Sequence, residues 1–499
     1  MPAASSQAAA AASAILAVPP PSPLPRVRAG RRREHLALAI LFAAASAVPL
    51  SAADGNPYGF ALTSFDIGGN HADAAQAVAV EPDGRIVLAG TVATGSGTSE
   101  LALARYLPGG ALDPSFGTNG KVVDPFSFGI SHTGVAARRL ADGRILVAGT
   151  LDYGNGDLDF YVGRLLSTGA PDTTFGPTTS GARSVFFDLG GDHTDMLTAM
   201  TLDRNGRIVL AGAVDISATD VDFGIVRLTS EGELDITFSG DGRATVAISV
   251  GGPDLGLAVV ADSNNSILVS GAAWQTDLGG HFDLALARLL ANGALDGGFG
   301  SDGTLLYGVN DGGTNNEIGW AVAVWPDGEI VVAADMATDV DEWWWLALRL
   351  AANGEILNDG GGQTGFFCAD TVPPCPATHQ DSPRALLLQG DGKILFAGFG
   401  LGTASNSDFG IARLNHDLSP DITFGVLGDT TFDFAAGVGR FKDYGSAMAF
   451  DRDGRIVVAG SAEWDGANND FAWVRFDSSY IFADGFEWAD LSQWSNAIP

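Results

Sequence analysis

Basic side chains are scarce in this chain. Its 499 residues contain 27 Lys and Arg against 59 Asp and Glu, a formal net charge of −32 at pH 7. Such an acidic surface repels nucleic acid and anionic membranes, so we expect neither as a partner. Helical periodicity is missing beyond the N-terminal segment, and 46% of the residues are hydrophobic. This composition favours an extensive β core.

The familiar enzyme motifs are also missing. The sequence contains no G-x-S-x-G elbow, no H-E-x-x-H pair and no P-loop. It contains neither an EF-hand loop nor a nonapeptide calcium repeat. We therefore assign no catalytic residue from the sequence.

Cysteine is nearly absent. Cys368 and Cys375 stand seven positions apart in "CADTVPPC". In an exported protein, two cysteines this close indicate a local disulfide. A metal site would need more ligands, and only His379 is near in sequence.

Positive charge is concentrated near the N-terminus. Five arginines between residues 26 and 33 precede the apolar run "LALAILFAAASAVPL" (36–50), and small residues follow at 51–53. This pattern predicts a leader over 1–53 with a low-complexity start. Fifteen apolar residues are short of the roughly 20 that span a membrane, although a retained anchor helix is the alternative. We expect a secreted or cell-surface protein, or a periplasmic one, with no stable membrane span after cleavage.

One octapeptide recurs along the rest of the chain. "DGRIVVAG" (453–460) has close copies from residues 83, 142, 205, 264, 327 and 391. The turn position is glycine in six copies and Asn265 in the fourth, with separations of 59 to 64 residues. Seven copies at one period indicate a repeat architecture.

Each repeat contains four strand-like stretches. In the second copy these are 134–140, 145–149, 159–165 and 183–188, and Asp-Gly joins the first two as a hairpin turn. Four short strands in about 60 residues are typical of one blade of a β-propeller. The stretch before each turn has small residues such as "AVAV" (77–80), which suit an innermost strand. We predict an all-β, seven-bladed propeller over residues 54–476.

The last repeat lacks a fourth strand before the tail. "GFALTSFD" (59–66) stands ahead of the first repeat and matches "RSVFFD" (183–188), the fourth stretch of the second copy. We therefore expect the N-terminal strand to complete the last blade, which would hide sheet edges that otherwise aggregate.

The motif "DGRIVVAG…DFALARL…G.LD.TFG" resembles the delta-60 repeat family of exported bacterial proteins. "DFGIVRLTSEGELDITFS" (222–239) and "DFGIARLNHDLSPDITFG" (408–425) carry the likeness, which covers residues 59–476. The resemblance implies a propeller-like repeat protein and brings no established catalytic residues. The tail, 477–499, contains "IFADGFEWADLSQWS", which resembles a C-terminal motif of exported bacterial proteins.

An arginine recurs in the third strand of every repeat. In five copies an aspartate follows eight residues later, as in Arg227 and Asp235. A buried arginine requires a carboxylate partner, since an unpaired buried charge is costly. Because an active site is normally used once, seven equivalent arginines indicate an architectural role.

Acidic residues recur eleven positions before the turns. They are Asp73, Asp195, Asp254, Glu317, Asp381 and Asp443, with His132 in the second copy. These segments enter the innermost strands, so we expect them around one mouth of the central channel. Each acid could cap a turn through backbone amides. Alternatively, the six carboxylates form a ring that binds Ca²⁺ or another hard cation.

Tryptophans occur in the segments between second and third strands. Trp274, Trp344 and Trp464 are candidates for contacts with a sugar or a protein partner. Trp343 and Trp345 share a strand face, so we expect them to pack between blades. Trp344 replaces the Asp or Glu of other copies, which favours an exposed contact.

These features predict an exported, non-catalytic binding or surface protein. Its ligand would be a glycan or an extracellular protein, bound on the face with the channel mouth, and Ca²⁺ is the one candidate cofactor. The first alternative is a cation-assisted polysaccharide hydrolase or lyase with its site at the axis. The second is a purely structural component of the cell surface.

Overall fold

The computed structural model describes the greater part of the chain from residue 59 to 476. The described residues are 59–67, 72–95, 97–187, 189, 193–217, 219–276, 280–308, 316–339, 342–357, 365–367, 381–401, 407–425, 428–434, 442–463 and 469–476. Within these ranges the secondary structure is entirely β, and no helix is long and apolar enough to cross a membrane. The predicted leader, the tail and both cysteines lie outside the described residues.

Twenty-nine strands occupy four positions in seven sheets. The innermost strands are β2 (Asp73–Val80), β6 (Ser131–His132) with β7 (Ala136–Arg139), β11 (Met196–Leu202), β15 (Asp254–Ala261), β19 (Glu317–Val324), β23 (Ser382–Leu388) and β27 (Asp443–Phe450). The second strands are β3 (Ile86–Ala93), β8 (Ile145–Asp152), β12 (Ile208–Ser217), β16 (Ile267–Gln275), β20 (Ile330–Asp339), β24 (Ile394–Leu401) and β28 (Ile456–Glu463).

The outer half of each sheet is built in the same way. The third strands are β4 (Ser99–Tyr106), β9 (Leu158–Leu165), β13 (Asp220–Leu228), β17 (His281–Leu289), β21 (Glu342–Leu350), β25 (Ser407–Leu414) and β29 (Asn469–Phe476). The outermost strands are β5 (Lys121–Val123), β10 (Ala182–Val185), β14 (Arg243–Val246), β18 (Thr304–Tyr307), β22 (Gly365–Phe367), β26 (Asp429–Phe432) and β1 (Gly59–Thr63).

The seven sheets are the blades of a β-propeller. Each is an antiparallel meander, and we number the blades from blade 1 (β2–β5) to blade 7 (β27–β29 with β1). Each innermost strand lies against the innermost strands of both neighbouring blades, so that the seven close a ring around one axis. Buried hydrophobic clusters fill the spaces between consecutive blades. The predicted fold class is confirmed.

The N-terminal strand completes the last blade. β1 pairs antiparallel with β29 in a register that runs from Gly59 opposite Arg475 to Thr63 opposite Phe471. Ala61 is 1% exposed, and the Tyr106 hydroxyl donates to the Thr63 hydroxyl at 2.7 Å. Blade 7 therefore joins both ends of the described chain, as the sequence predicted, and β1 covers the edge of β29.

The hairpin turns adopt the backbone that their residue types favour. Gly84 has a φ of +87°, in the left-handed region that side chains disfavour. Asn265 fills the same place in the fourth repeat with a φ of +61°. Asparagine is among the few other residues that tolerate this conformation, so the degraded repeat still forms its turn.

The repeated arginine forms the predicted pair with the aspartate eight residues later. Arg227 Nε donates to Asp235 Oδ2 at 2.8 Å, and the guanidinium lies 4.7 Å from the centroid of the Phe238 ring. The same pair occurs in blades 1, 2, 4 and 6, at 2.7 to 2.9 Å. Arg227 is 1% exposed, so its charge depends on this carboxylate.

The arginine also joins neighbouring blades. Arg164 Nη1 donates to the Ser230 carbonyl of blade 3 at 2.9 Å, and Arg227 Nη1 reaches the Ala291 carbonyl of blade 4 at 2.5 Å. Arg475 of blade 7 donates to the Pro108 carbonyl of blade 1 at 3.2 Å, which closes the circle. We call this arrangement of arginine, aspartate, phenylalanine ring and neighbouring carbonyl the interblade clamp.

Replacing a clamp arginine should destabilise the whole ring. Arg227→Gln leaves Asp235 buried without its main partner and should lower the free energy of unfolding by about 3 kcal/mol. Urea unfolding followed by circular dichroism measures this. Arg452→Gln is the control, because the Arg452 side chain is 59% exposed and should change stability by less than about 0.5 kcal/mol. Equal stability of the two variants would contradict a structural role for the clamp.

Ring closure can be tested at Ala61. Ala61→Asp places a charge among the buried residues between β1 and blade 1, where it has no partner. We expect β1 to detach, with a loss of about 3 kcal/mol or more in stability and faster proteolysis of the N-terminal segment. Mass spectrometry of limited digests measures the cleavage rate. An unchanged digestion pattern would argue against the role of β1.

Candidate functional site

The candidate site lies near the axis, at a position where the side chain differs from one repeat to the next. In blades 1 and 2, the second strand carries a threonine whose hydroxyl accepts a hydrogen bond from the innermost strand of the next blade. These bonds are Gly134 N–H to Thr91 Oγ1 at 3.1 Å and Leu197 N–H to Thr150 Oγ1 at 3.0 Å. Blade 5 has Asp335 at this position. A carboxylate thus replaces a hydroxyl in one blade.

Asp335 is held by two donors. Trp320 Nε1 donates to Asp335 Oδ2 at 2.6 Å, and the Ser382 hydroxyl of blade 6 donates to the same oxygen at 2.7 Å. Asp335 is 3% exposed, and its Oδ1 is buried without a hydrogen-bond partner. The carboxylate is therefore fixed in place but incompletely satisfied.

An arginine lies beside this carboxylate. The guanidinium carbon of Arg384 is 3.5 Å from the centroid of the Trp320 ring and 5.5 Å from that of Phe399. Such stacking leaves the N–H groups at the edge of the guanidinium plane available for an acceptor. Arg384 is half-buried, which leaves it in contact with solvent. We call Trp320, Asp335, Ser382 and Arg384 the axial cluster.

Burial dominates the electrostatics of the axial cluster. It raises the pKa of Asp335 to about 6, although the Arg384 charge and the Ser382 and Trp320 hydrogen bonds act in the opposite direction. Removal from water also lowers the pKa of Arg384 to about 10, against the attraction of Asp335. At neutral pH the arginine is charged, and Asp335 loses its proton within the mildly acidic range.

The axial cluster rests on β-bulges. The register of each regular innermost strand shifts at one position, which is Trp320 in β19 and Arg384 in β23. A bulge interrupts the ladder and redirects a side chain. In blades 1, 3, 4 and 7 the shifted residues are Gln76, Thr198, Leu257 and Ser446. Sequence reasoning missed this cluster because it followed residues that repeat, whereas this position changes from copy to copy.

The six predicted metal-binding acids begin or directly precede the innermost strands and are at most 2% exposed. Several fasten the crossover from the preceding blade. Phe65 N–H donates to Asp73 Oδ2 at 2.7 Å, and Phe187 N–H donates to Asp195 Oδ2 at 2.7 Å. The amides come from the crossover five to nine residues earlier, not from the turn of the acid itself.

These six acids do not gather at one point. Among the described residues, one acidic group is close enough to share an ion. It consists of Asp408, Asp433 and Asp443, and one oxygen from each lies within 4.8 Å of the others. It contains one of the six predicted acids. His132 takes the acidic position in blade 2, where its Nδ1 lies 2.8 Å from the Ile130 carbonyl oxygen.

Two of the tryptophans pack against other side chains, and the side chains of the other three are outside what the structure describes. Trp345 is fully buried between blades 5 and 6, as predicted. Trp274 is half-buried and packs edge to face on Phe282 at 5.0 Å. Trp344 pairs with Met336 in the strand register, but its side chain and that of Trp343 are outside what the structure describes, as is all of Trp464. Ligand contact by Trp274, Trp344 or Trp464 stays a prediction.

Comparison with protein families agrees with this architecture. Six segments match the family described as a domain of unknown function (DUF5122) beta-propeller: 81–116, 140–175, 204–238, 263–299, 389–424 and 452–479. The chain is a β-propeller repeat protein. The matches fall in six of the seven blades, and blade 5, which contributes Trp320 and Asp335, is not among them. The comparison with curated proteins finds no match.

Solved structures with a similar fold differ widely in function. A protein of unknown function from Dyadobacter fermentans is 13% identical, covers 82% of this chain and 97% of its own, and has a TM-score of 0.44. An ulvan lyase is 9% identical, with coverage of 81% and 94% and a TM-score of 0.38. A glucose dehydrogenase is 11% identical, with coverage of 81% and 97% and a TM-score of 0.35. Likenesses this low assign no activity to this chain.

Buried acids outside the clamps should make stability depend on pH. Burial, together with Asp220 and Asp254, raises the pKa of Asp222 to about 7. The folded protein therefore holds a proton that the unfolded chain lacks between about pH 4 and 7. The stability contributed by this proton is present at low pH and is lost as the pH rises towards 7, by up to about 1.4 kcal/mol per unit.

Asp222→Asn removes this dependence. We expect the free energy of unfolding of this variant, relative to that of the natural protein, to increase as the pH rises from 5 to 7 and then to level off. Urea unfolding at each pH measures this difference. Asp235→Asn is the matched control in the same blade. Burial opposes ionisation of Asp235, but hydrogen bonds from Thr237 and the charge of Arg227 outweigh it and lower the pKa. That variant should be less stable at pH 7, and its deficit should shrink below about pH 4. A pH-independent difference for Asp222→Asn would contradict the interpretation.

Proposed function

We propose that this propeller is a non-catalytic binding protein that holds a carboxylate group of an acidic glycan at the axial cluster. Arg384 carries the proposal. The residue is half-buried, its guanidinium is stacked on Trp320, and none of the described residues accepts a hydrogen bond from that group. Five N–H donors in a fixed plane match a carboxylate well.

The position of Arg384 supports a small anionic group as the ligand. β23 begins at Ser382, so Arg384 lies near the end of the blade at which the crossovers and the segments between second and third strands emerge. Asp335 beside it is almost fully buried. A recessed charge suits one sugar carboxylate better than a flat protein interface, which needs about 800 Å² on each partner. The predicted leader supports binding outside the cytoplasm.

Asp335 tunes the charge at this site. When ionised, it attracts Arg384 and competes with an incoming carboxylate. When protonated, it leaves the guanidinium charge uncompensated. Affinity for an anionic ligand should therefore rise as the pH falls through about 6, the pKa of Asp335. A ligand with its own pKa near 3 to 4 remains ionised over that interval.

Calorimetric titration with polyuronate oligosaccharides tests the proposal, with neutral dextran oligosaccharides as the matched ligand control. Arg384→Gln should weaken polyuronate binding about 10- to 100-fold, the value of a charge-assisted hydrogen bond. Arg384→Lys should recover part of the affinity, and Arg452→Gln should leave it unchanged. The natural protein should bind more tightly at pH 5 than at pH 7.

Other outcomes would favour the alternatives. Equal binding by Arg384→Gln and the natural protein would overturn the assignment of the axial cluster. Release of reducing or unsaturated sugar ends from the polyuronate would indicate a hydrolase or lyase. Absence of both binding and turnover across a polysaccharide panel would favour a structural component of the cell surface.

A further inference from the structure

A second site lies between blades 6 and 7, away from the axial cluster. Asp408 comes from the third strand of blade 6, Asp433 from the crossover after blade 6, and Asp443 from the start of the innermost strand of blade 7. One oxygen from each lies within 4.8 Å of the others. Asp408 is 7% exposed, Asp443 is 1% exposed, and Asp433 is half-buried. Three carboxylates at this spacing surround a volume that suits one cation.

Asp443 supplies an oxygen that the fold leaves unsatisfied. Its Oδ2 accepts a hydrogen bond from the Phe434 amide at 2.9 Å, whereas Oδ1 is buried and has no hydrogen-bond partner. A buried carboxylate oxygen without a donor is costly unless a cation or a proton satisfies it. Burial, with further contributions from Asp408 and Asp433, raises the pKa of Asp443 to about 8.

At the equivalent junction between blades 7 and 1, a lysine accompanies the acids. There Asp470 and Asp73 take the places of Asp408 and Asp443, and Lys121 interacts with both as well as with Asp66. Lys121 Nζ donates to the Ser64 carbonyl at 2.6 Å and lies 5.2 Å from the centroid of the Phe65 ring. A half-buried ammonium group therefore interacts electrostatically with the acids of this junction, where Asp73 Oδ1, like Asp443 Oδ1, has no hydrogen-bond partner.

Blade 7 has an aromatic ring where blade 1 has this lysine. Lys121 lies opposite Ala104, the residue before the clamp arginine Arg105. In blade 7 the residue opposite Val474, which precedes Arg475, is Phe60. The Phe60 ring packs on Phe432 at 5.4 Å and on Phe434 at 5.8 Å. The lysine of one junction thus has no counterpart at this position of the other.

We propose that Asp408, Asp433 and Asp443 bind one hard divalent cation, preferably Ca²⁺, between blades 6 and 7. Carboxylate oxygens from three separate segments are the ligands that Ca²⁺ takes in flexible geometry, with backbone carbonyls and water completing six to eight positions. The cation occupies the electrostatic role that Lys121 has at the junction between blades 7 and 1. It crosslinks the third strand of blade 6, the crossover and the innermost strand of blade 7.

Titration of the full-length mature protein with CaCl₂ tests this proposal. The protein is treated with EDTA, freed of chelator by gel filtration, and studied by calorimetry and by thermal melting. We expect one equivalent of Ca²⁺ to bind and the melting temperature to rise with Ca²⁺ concentration. Asp443→Asn and Asp408→Asn should each weaken binding at least tenfold and abolish the rise.

Asp470→Asn is the matched control, because Asp470 is the counterpart of Asp408 at the junction that contains Lys121. It should bind Ca²⁺ as the natural protein does. If Asp443→Asn fails to fold, Asp408→Asn decides the question in the same assay. No binding heat and no melting shift in millimolar Ca²⁺ would overturn the proposal. Undiminished binding by the Asp408 and Asp443 variants, or loss of binding in Asp470→Asn, would overturn it equally.

Discussion

The arginine of each third strand, buried in four blades and half-buried in three, provides the contact on which the ring depends. A propeller blade needs attachment to the next blade, because four short strands cannot bury both of their faces alone. In blade 3 the guanidinium of Arg227 binds Asp235 within the blade, lies over Phe238, and donates to a backbone carbonyl of blade 4. Apolar packing between blades tolerates small shifts, whereas these directional bonds fix how far one blade is rotated from the next.

Residues that repeat in most blades have an architectural role in this molecule, whereas the candidate site is formed by residues that occur once. Features present in most blades hold the ring together: the turn glycines, the clamp arginines and the acids at the starts of the innermost strands. The axial cluster is different in kind, since Trp320, Asp335 and Arg384 stand at positions where other blades carry smaller or uncharged residues. Incomplete hydrogen bonding of Asp335 is tolerated there because six other interblade junctions stabilise the fold.

The buried carboxylates show how one backbone arrangement supports different chemistry. At or just before the start of four innermost strands, an acid ties down the crossover through main-chain amides, as Asp73 does with Phe65. Its second oxygen has no hydrogen-bond partner in Asp73, Asp254 and Asp443, and the charged neighbours differ between junctions. Lys121 serves the junction of blades 7 and 1, whereas Asp222 shares its surroundings with Asp220 and Asp254. Part of the excess of acidic residues in the sequence is therefore buried in the interior of the protein.

The sequence by itself determined the all-β class, the seven blades, the closure by residues 59–63 and, in five blades, the pairing of the clamp arginine with the aspartate eight residues later. These follow from local rules, because turn chemistry, strand periodicity and the cost of an unpaired buried charge act over short stretches that recur. The tertiary structure decided what crosses between blades. It placed four of the six predicted acids, Asp73, Asp195, Asp254 and Asp443, against crossover amides, and it brought Asp335 to Ser382 and Trp320 to Arg384 across separations of 47 and 64 residues. Such contacts depend on which blades are neighbours and on where each bulge occurs. The sequence period contains neither piece of information.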